Sequence, residues 1–133
     1  MENKNVSLIR STYEGKSEEN KDRLPKLLAT DVEWTEAEGF PYAGVYRGRD
    51  AILQNVFSRL ATEWENYRAH AEEFIAHEDL VIVFGHYTGT YKKTGKSMRA
   101  DFVHRYQLKD GLIIKMKQCV DSFLVQLAMK NER

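Results

Sequence analysis

Cysteine is nearly absent from this chain: Cys119 stands alone among 133 residues. No internal disulfide can form, and a reducing cytoplasm suits such a sequence. No Cys-x-x-Cys, His-x-His or His-Glu-x-x-His pattern occurs, so a dedicated zinc site is not expected. Net charge is absent too. Lys plus Arg equals Asp plus Glu at 20 each, and no block of like charge stands out. Nothing therefore draws the chain to phosphate backbones or anionic lipid, and neither a nucleic-acid nor a membrane partner is expected. Long apolar runs are missing as well. The longest, 80–84, is far too short to span a bilayer. The opening MENKNVSLIR has no apolar stretch of the signal-peptide kind.

What is present is an ordinary globular balance, 42% hydrophobic and 30% charged. The length suits one domain over 1–133, with a real core and no need of staples. Val6, Ile9 and Tyr13 share one helical face, and Gly15 is expected to stop that helix. Asp22 is expected to cap a second, short helix, with Pro25 in the first turn, where a missing N–H is tolerated. Leu24, Leu27 and Leu28 form its apolar stripe. Residues 32–35 read as a strand. The stretch WTEAEGFPYAGVYRG at 34–48 reads as an aromatic-rich connection. Asp50 then starts a third helix, with Ile52, Val56, Phe57 and Leu60 facing inward.

From Tyr67 the pattern changes to period two and β-rich composition. Four strands are expected at about 67–77, 80–91, 98–108 and 112–121. The breaks fall at 77–79, 93–96 and 109–111, and the last two carry the Gly that tight hairpins need. Phe123, Leu124, Leu127 and Ala128 read as a short final helix or tail. Helices first and antiparallel strands after make an α+β layout. One strongly curved antiparallel sheet would wrap around the N-terminal helices as a cone, and its open interior is the natural ligand site.

Several motifs carry a resemblance over almost the whole chain. LLATDVEW at 27–34, GVYRGRDAI at 44–52, FVH at 102–104, DGLI at 110–113 and the late Asp121 resemble the NTF2-like superfamily. The branch they look like is that of the SnoaL-like polyketide cyclases and the related ketosteroid isomerases. The resemblance implies the NTF2-like, cystatin-like α+β barrel and a homodimer formed through the outer sheet face. It does not imply one reaction, because one fold hosts many functions. In the cyclase branch an aspartate near the end of the last long strand is the acid/base, and Asp121 matches that position. In the isomerase branch the base is an acidic residue in the loop after the first strand. Its partners there are a tyrosine on the first helix and an acid on a later strand. That pattern is incomplete here. Trp34 stands near the base position, with Glu36 and Glu38 beside it. Leu8 or Ile9 stands where the tyrosine belongs, and Tyr13 comes about one turn later. Val103 or His104 falls at the later acid. Steroid isomerisation itself is therefore not expected.

Each candidate has a chemical and a plain structural reading. Abstracting a proton beside a carbonyl needs a base whose pKa lies near the working pH, and Asp121 at the inner end of a curved sheet would be partly desolvated. Alternatively Asp121 caps the last helix. His104 shares strand parity with Phe102 and Tyr106, so it faces inward if they do. There it would donate to an enolate oxygen or shuttle a proton, or else be a satisfied interior histidine. His86 shares parity with Phe84 and is expected to enter the cone. Asp101 and Arg105 take the opposite parity to His104 and belong on the outer face. Trp34, Phe40, Tyr42 and Tyr46, with Phe57, Phe102 and Tyr106, offer an aromatic lining for a small hydrophobic ligand. The alternative is that Trp34 and Tyr46 close the core, while Phe40 and Tyr42 form a lid or a dimer contact. Glu36 and Glu38 are reserve general bases.

Two classes of function follow. One is an isomerase, cyclase or lyase that works on a small apolar carbonyl compound without a cofactor. The other is a non-catalytic module of the same fold, for ligand binding or dimerisation.

Overall fold

The computed structural model describes residues 3–14 and 17–130. Helix α1 (Lys4–Glu14) buries Val6, Ile9 and Tyr13 on one face, as their spacing requires. Gly15, the expected stop, lies outside the described residues. Helix α2 (Ser17–Leu27) starts earlier than expected, so Asp22 lies mid-helix and Pro25 sits near its end. There the proline costs the helix the one bond that an N–H would have made to the carbonyl four residues earlier.

Strand β1 (Leu28–Glu36) is longer than its sequence signal and places Val32, Trp34 and Glu36 on one buried side. A second strand, β2 (Gly44–Arg47), lies inside the stretch whose sequence reads as a connection, and it pairs antiparallel with β1, Trp34 opposite Tyr46. The loop proper is therefore only 37–43. Gly48, at φ 86, makes the left-handed turn that leads into the next helix. That helix is compound: α3 (Arg49–Ile52), a π-helical turn (Leu53–Phe57) and α4 (Ser58–Glu63). The wide turn carries Phe57 to Trp34, edge to face at 5.5 Å.

The later strands, β3 (Trp64–His77), β4 (Leu80–Tyr91), β5 (Ser97–Lys109) and β6 (Leu112–Val120), match the expected ones closely. They form a six-stranded sheet in the order β2-β1-β6-β5-β4-β3, open at both edges. All neighbours are antiparallel except β1 and β6, which run parallel, so the sheet is mixed. No hairpin joins that pair; the chain returns to β1 only after laying down the other strands. Strand β3 bulges twice against β4, at 65–68 and 71–73, which bends it. Opposite the second bulge stands Gly85, where an added Cβ would lie 2.1 Å from the His70 carbonyl oxygen and 2.6 Å from Phe102. Helix α5 (Ser122–Met129) packs against β5 and β4.

The sheet divides its side chains cleanly. Val81, Val83 and Tyr87 of β4, Phe102, His104 and Tyr106 of β5, and Ile113, Met116 and Gln118 of β6 are buried on the inner face, beneath α1 and the compound helix. Phe84, Arg99, Asp101 and Arg105 point outward. Among the described residues no helix is long and apolar enough to cross a membrane.

Candidate active site

Glu36 ends the buried row of β1. Its side chain is 5% exposed. Burial raises its carboxyl from 4.5 to about 7, and the Trp34 indole N–H, donating at 2.7 Å, opposes part of that rise. It has no cationic partner among the described residues. A buried carboxyl held by one neutral donor gains a proton near neutrality instead of an ion pair.

Next to it runs a hydrogen-bonded chain drawn from four elements. Gln118 Nε2 donates to Tyr87 Oη at 2.6 Å, and Gln118 Oε1 accepts from the backbone N–H of Ala37 at 3.0 Å. Tyr87 Oη lies 2.5 Å from His104 Nε2. His104 Nδ1 lies 2.6 Å from Tyr13 Oη, which is 2.6 Å from Tyr106 Oη. Burial pushes the His104 imidazole down from 6.5 to about 3, so it is neutral and carries one proton.

Gln118 fixes one end of the chain, because its Oε1 takes the Ala37 N–H and its amide N–H is left to donate. Tyr87 Oη accepts from Gln118 Nε2, and the neutral His104 ring donates from one nitrogen and accepts at the other. Along Tyr87, His104, Tyr13 and Tyr106 each proton can point either way, so the chain can carry a proton in either sense. Tyr106 ends the chain, bonded to Tyr13. Burial raises all four tyrosines, Tyr13, Tyr67, Tyr87 and Tyr106, so they remain neutral donors.

Aromatic rings fill the space around this chain. Trp34 meets Phe57 and Tyr106 edge-on at 5.5 and 6.3 Å, and Phe102 stacks on His104 at 4.0 Å. Tyr42 is fully enclosed: its hydroxyl donates to Glu63 at 2.6 Å and accepts from Trp64 Nε1 at 3.1 Å. Among the described residues no group of three His, Cys, Asp or Glu side chains is arranged to hold a metal ion.

A SnoaL-like domain family model matches residues 9–116, most of the chain. The chain belongs to the SnoaL-like family. An NTF2-like protein of Burkholderia thailandensis is 34% identical, with 98% of this chain and 100% of that one covered and a TM-score of 0.90. TerC, co-crystallised with polyporic acid, is 25% identical over 96% of this chain and 98% of that one, with a TM-score of 0.83. An NTF2-like protein of unknown function from Burkholderia pseudomallei, 22% identical over 98% and 100% at a TM-score of 0.87, shows the fold alone. No curated protein gives a significant match.

In this SnoaL-like chain the structure gathers His104, Trp34, Phe40, Tyr42, Phe102 and Tyr106 on the inner face, with Phe57 and Tyr46 half-buried at its border. It does not bring Asp121 to them. Asp121 is exposed at the start of α5, where its carboxylate accepts from the Leu124 N–H at 3.4 Å. With Arg99, Asp101 and Phe84 it lines an outward-open depression of about 560 Å³ that includes neither Glu36 nor His104. His86 does not enter the cone either. It shares the outer face with Phe84, stacks on His70 at 4.7 Å and lies 2.9 Å from Glu72. Tyr13, which the sequence places a turn late on the helix, reaches the interior because a tyrosine hydroxyl extends well beyond its backbone. Tyr87, Gln118 and Tyr67 gave no sequence signal as site residues.

Proposed function

We propose that this SnoaL-like protein is a cofactor-free acid–base enzyme acting on a small apolar carbonyl compound, with Glu36 as the base. The observation that carries this reading is Glu36 itself, a buried carboxyl at the inner end of β1 raised to about 7. A base poised near neutrality is what α-proton abstraction needs. The hydrogen-bonded chain supplies the second half of the chemistry. Tyr106, linked through Tyr13 to His104, is the donor for an oxygen on which negative charge develops, its proton turning from Tyr13 to the ligand. Isomerisation, aldol-type cyclisation and elimination all begin with that step. The expected assay is exchange of α-protons of simple ketones into deuterated water. Glu36→Gln should slow exchange by about 10²-fold or more while the fold is retained. An unchanged rate would remove Glu36 from the role.

A second reading, a non-catalytic ligand-binding or dimerisation module, is favoured by the burial of Trp34, Phe40 and Tyr42, whose rings occupy the interior. Failure of the wild type to exchange any of a broad ketone panel would favour it. In either case we infer a homodimer through the outer sheet face, where Phe84 is 38% exposed. Sedimentation of the wild type beside Phe84→Glu tests that. A cytoplasmic location fits the lone, exposed thiol of Cys119.

A further inference from the structure

Phe40 belongs to a loop, yet its ring is 3% exposed. It sits 5.7 Å from Tyr42, edge to face, and 6.1 Å from Tyr87. Tyr87 is the residue that joins Gln118 to His104, so the Phe40 ring abuts the polar chain. Glu36 lies at the base of the same loop. The space beside Tyr42 and Tyr87 is thus filled by the protein's own side chain.

The loop that carries Phe40 is held differently from the walls around it. The walls are strand ladders and helices. Residues 37–43 are tied by side chains at separate points. Gln118 Oε1 takes the Ala37 N–H, and Gln126 Nε2 of α5 donates to the Gly39 carbonyl at 2.8 Å. Tyr46 Oη donates to the Tyr42 carbonyl at 2.8 Å. Inside the loop, the Phe40 and Ala43 N–H groups donate to the Ala37 and Phe40 carbonyls at 3.1 and 3.0 Å. Gly39, at φ 88, lies flush on α5, where an added Cβ would be 2.6 Å from Ser122 Oγ. Tyr42 Oη adds its bonds to Glu63 and Trp64, so opening the segment breaks side-chain bonds and leaves every strand ladder intact.

We propose that Phe40 occupies the ligand's own place, so that the site is self-plugged, and that a ligand enters by driving residues 37–43 away from α5. This rests on the interior being a ligand site, as proposed above. Phe40 then sets specificity: a ligand must fill its slot well enough to outcompete it. The Gln126 latch sets how often the slot opens. Apparent affinity falls by the fraction of molecules that are open, so weakening plug or latch raises affinity without any new contact.

Phenol is the probe, a ring of Phe40's size with one polar group. Its affinity is measured by titration for wild type, Gln126→Ala and Phe40→Ala, each checked for fold by its amide spectrum. Gln126→Ala should bind phenol several-fold more tightly than wild type, and Phe40→Ala at least about tenfold. A gain in Phe40→Ala alone, with Gln126→Ala equal to wild type, is the mark of a plain core cavity and overturns the plug. Saturating phenol should also speed hydrogen exchange at the wild-type Ala37 and Phe40 amides and leave β5 unchanged. Equal affinity in all three proteins overturns the plug and leaves the ligand site standing. No binding by folded Phe40→Ala overturns the ligand site itself, and the plug with it.

Discussion

Glu36 and Asp121 stand at the same end of two neighbouring parallel strands, β1 and β6, yet one is buried and the other exposed. Glu36 is the last residue of its strand and keeps the inward phase of Val32 and Trp34. Loop 37–43 follows it, tied to β6 where Gln118 takes the Ala37 N–H. Asp121 comes after β6 has ended, and the chain there has turned to begin α5. The histidines repeat the contrast, with His104 in the core and His86 on the outer face. Chemical type and rough position are alike within each pair. The face of the strand, and what covers it, decide whether a titratable group is perturbed.

The sharpest break of this comparison is kinetic. Glu36→Gln should lower turnover by about 10²-fold or more, while Asp121→Ala should leave it within a few-fold. The reverse order, in the same exchange assay, would move the site to the outer face. Next in size is Gly85, where the inner face meets the backbone of β3. Gly85→Ala forces a Cβ against the His70 carbonyl and Phe102, and should destabilise the fold by roughly 2–3 kcal/mol in urea unfolding.

A third effect reads the two buried groups through pH. Glu36 rises from 4.5 to about 7, so its contribution to stability is full below pH 4.5 and is lost as pH rises through about 7. His104 drops from 6.5 to about 3, so its contribution is full above pH 6.5 and is lost as pH falls through about 3. Between pH 4.5 and 6.5 the slopes oppose, each up to about 1.4 kcal/mol per pH unit, and nearly cancel. Glu36→Gln should unmask the His104 slope, so that stability falls with acid from pH 6.5 downward. His104→Gln should unmask the opposite slope. Unfolding curves at fixed pH that match wild type in both variants would contradict the assigned burial. The smallest effect is Asp121→Ala on stability, about 0.5–1 kcal/mol, because its capping bond is long at 3.4 Å.

The fold was almost fully legible, and the site only in part. Alternation in β5 put Phe102, His104 and Tyr106 inside, where they are. It failed for His86 because 80–84 is apolar at every position. Such a run carries no phase, and Phe84 faces out. Glu36 read as part of a connection because β1 outlasts its β-branched signal. The chain through Tyr87, Gln118 and Tyr13 was invisible for another reason. Its bonds join residues 31, 17 and 91 positions apart, and no local pattern reports such contacts.

The two bulges of β3 have a consequence outside the site. β3 is a long edge strand with one free side, the sort of template on which a second chain can extend a sheet. Irregular spacing at 65–68 and 71–73 breaks the even row of backbone donors and acceptors that a foreign strand would need. Glu65, Arg68, Glu72 and Glu73 add charge along the same stretch. The bends that wrap the cone therefore also guard the protein against edge-to-edge aggregation.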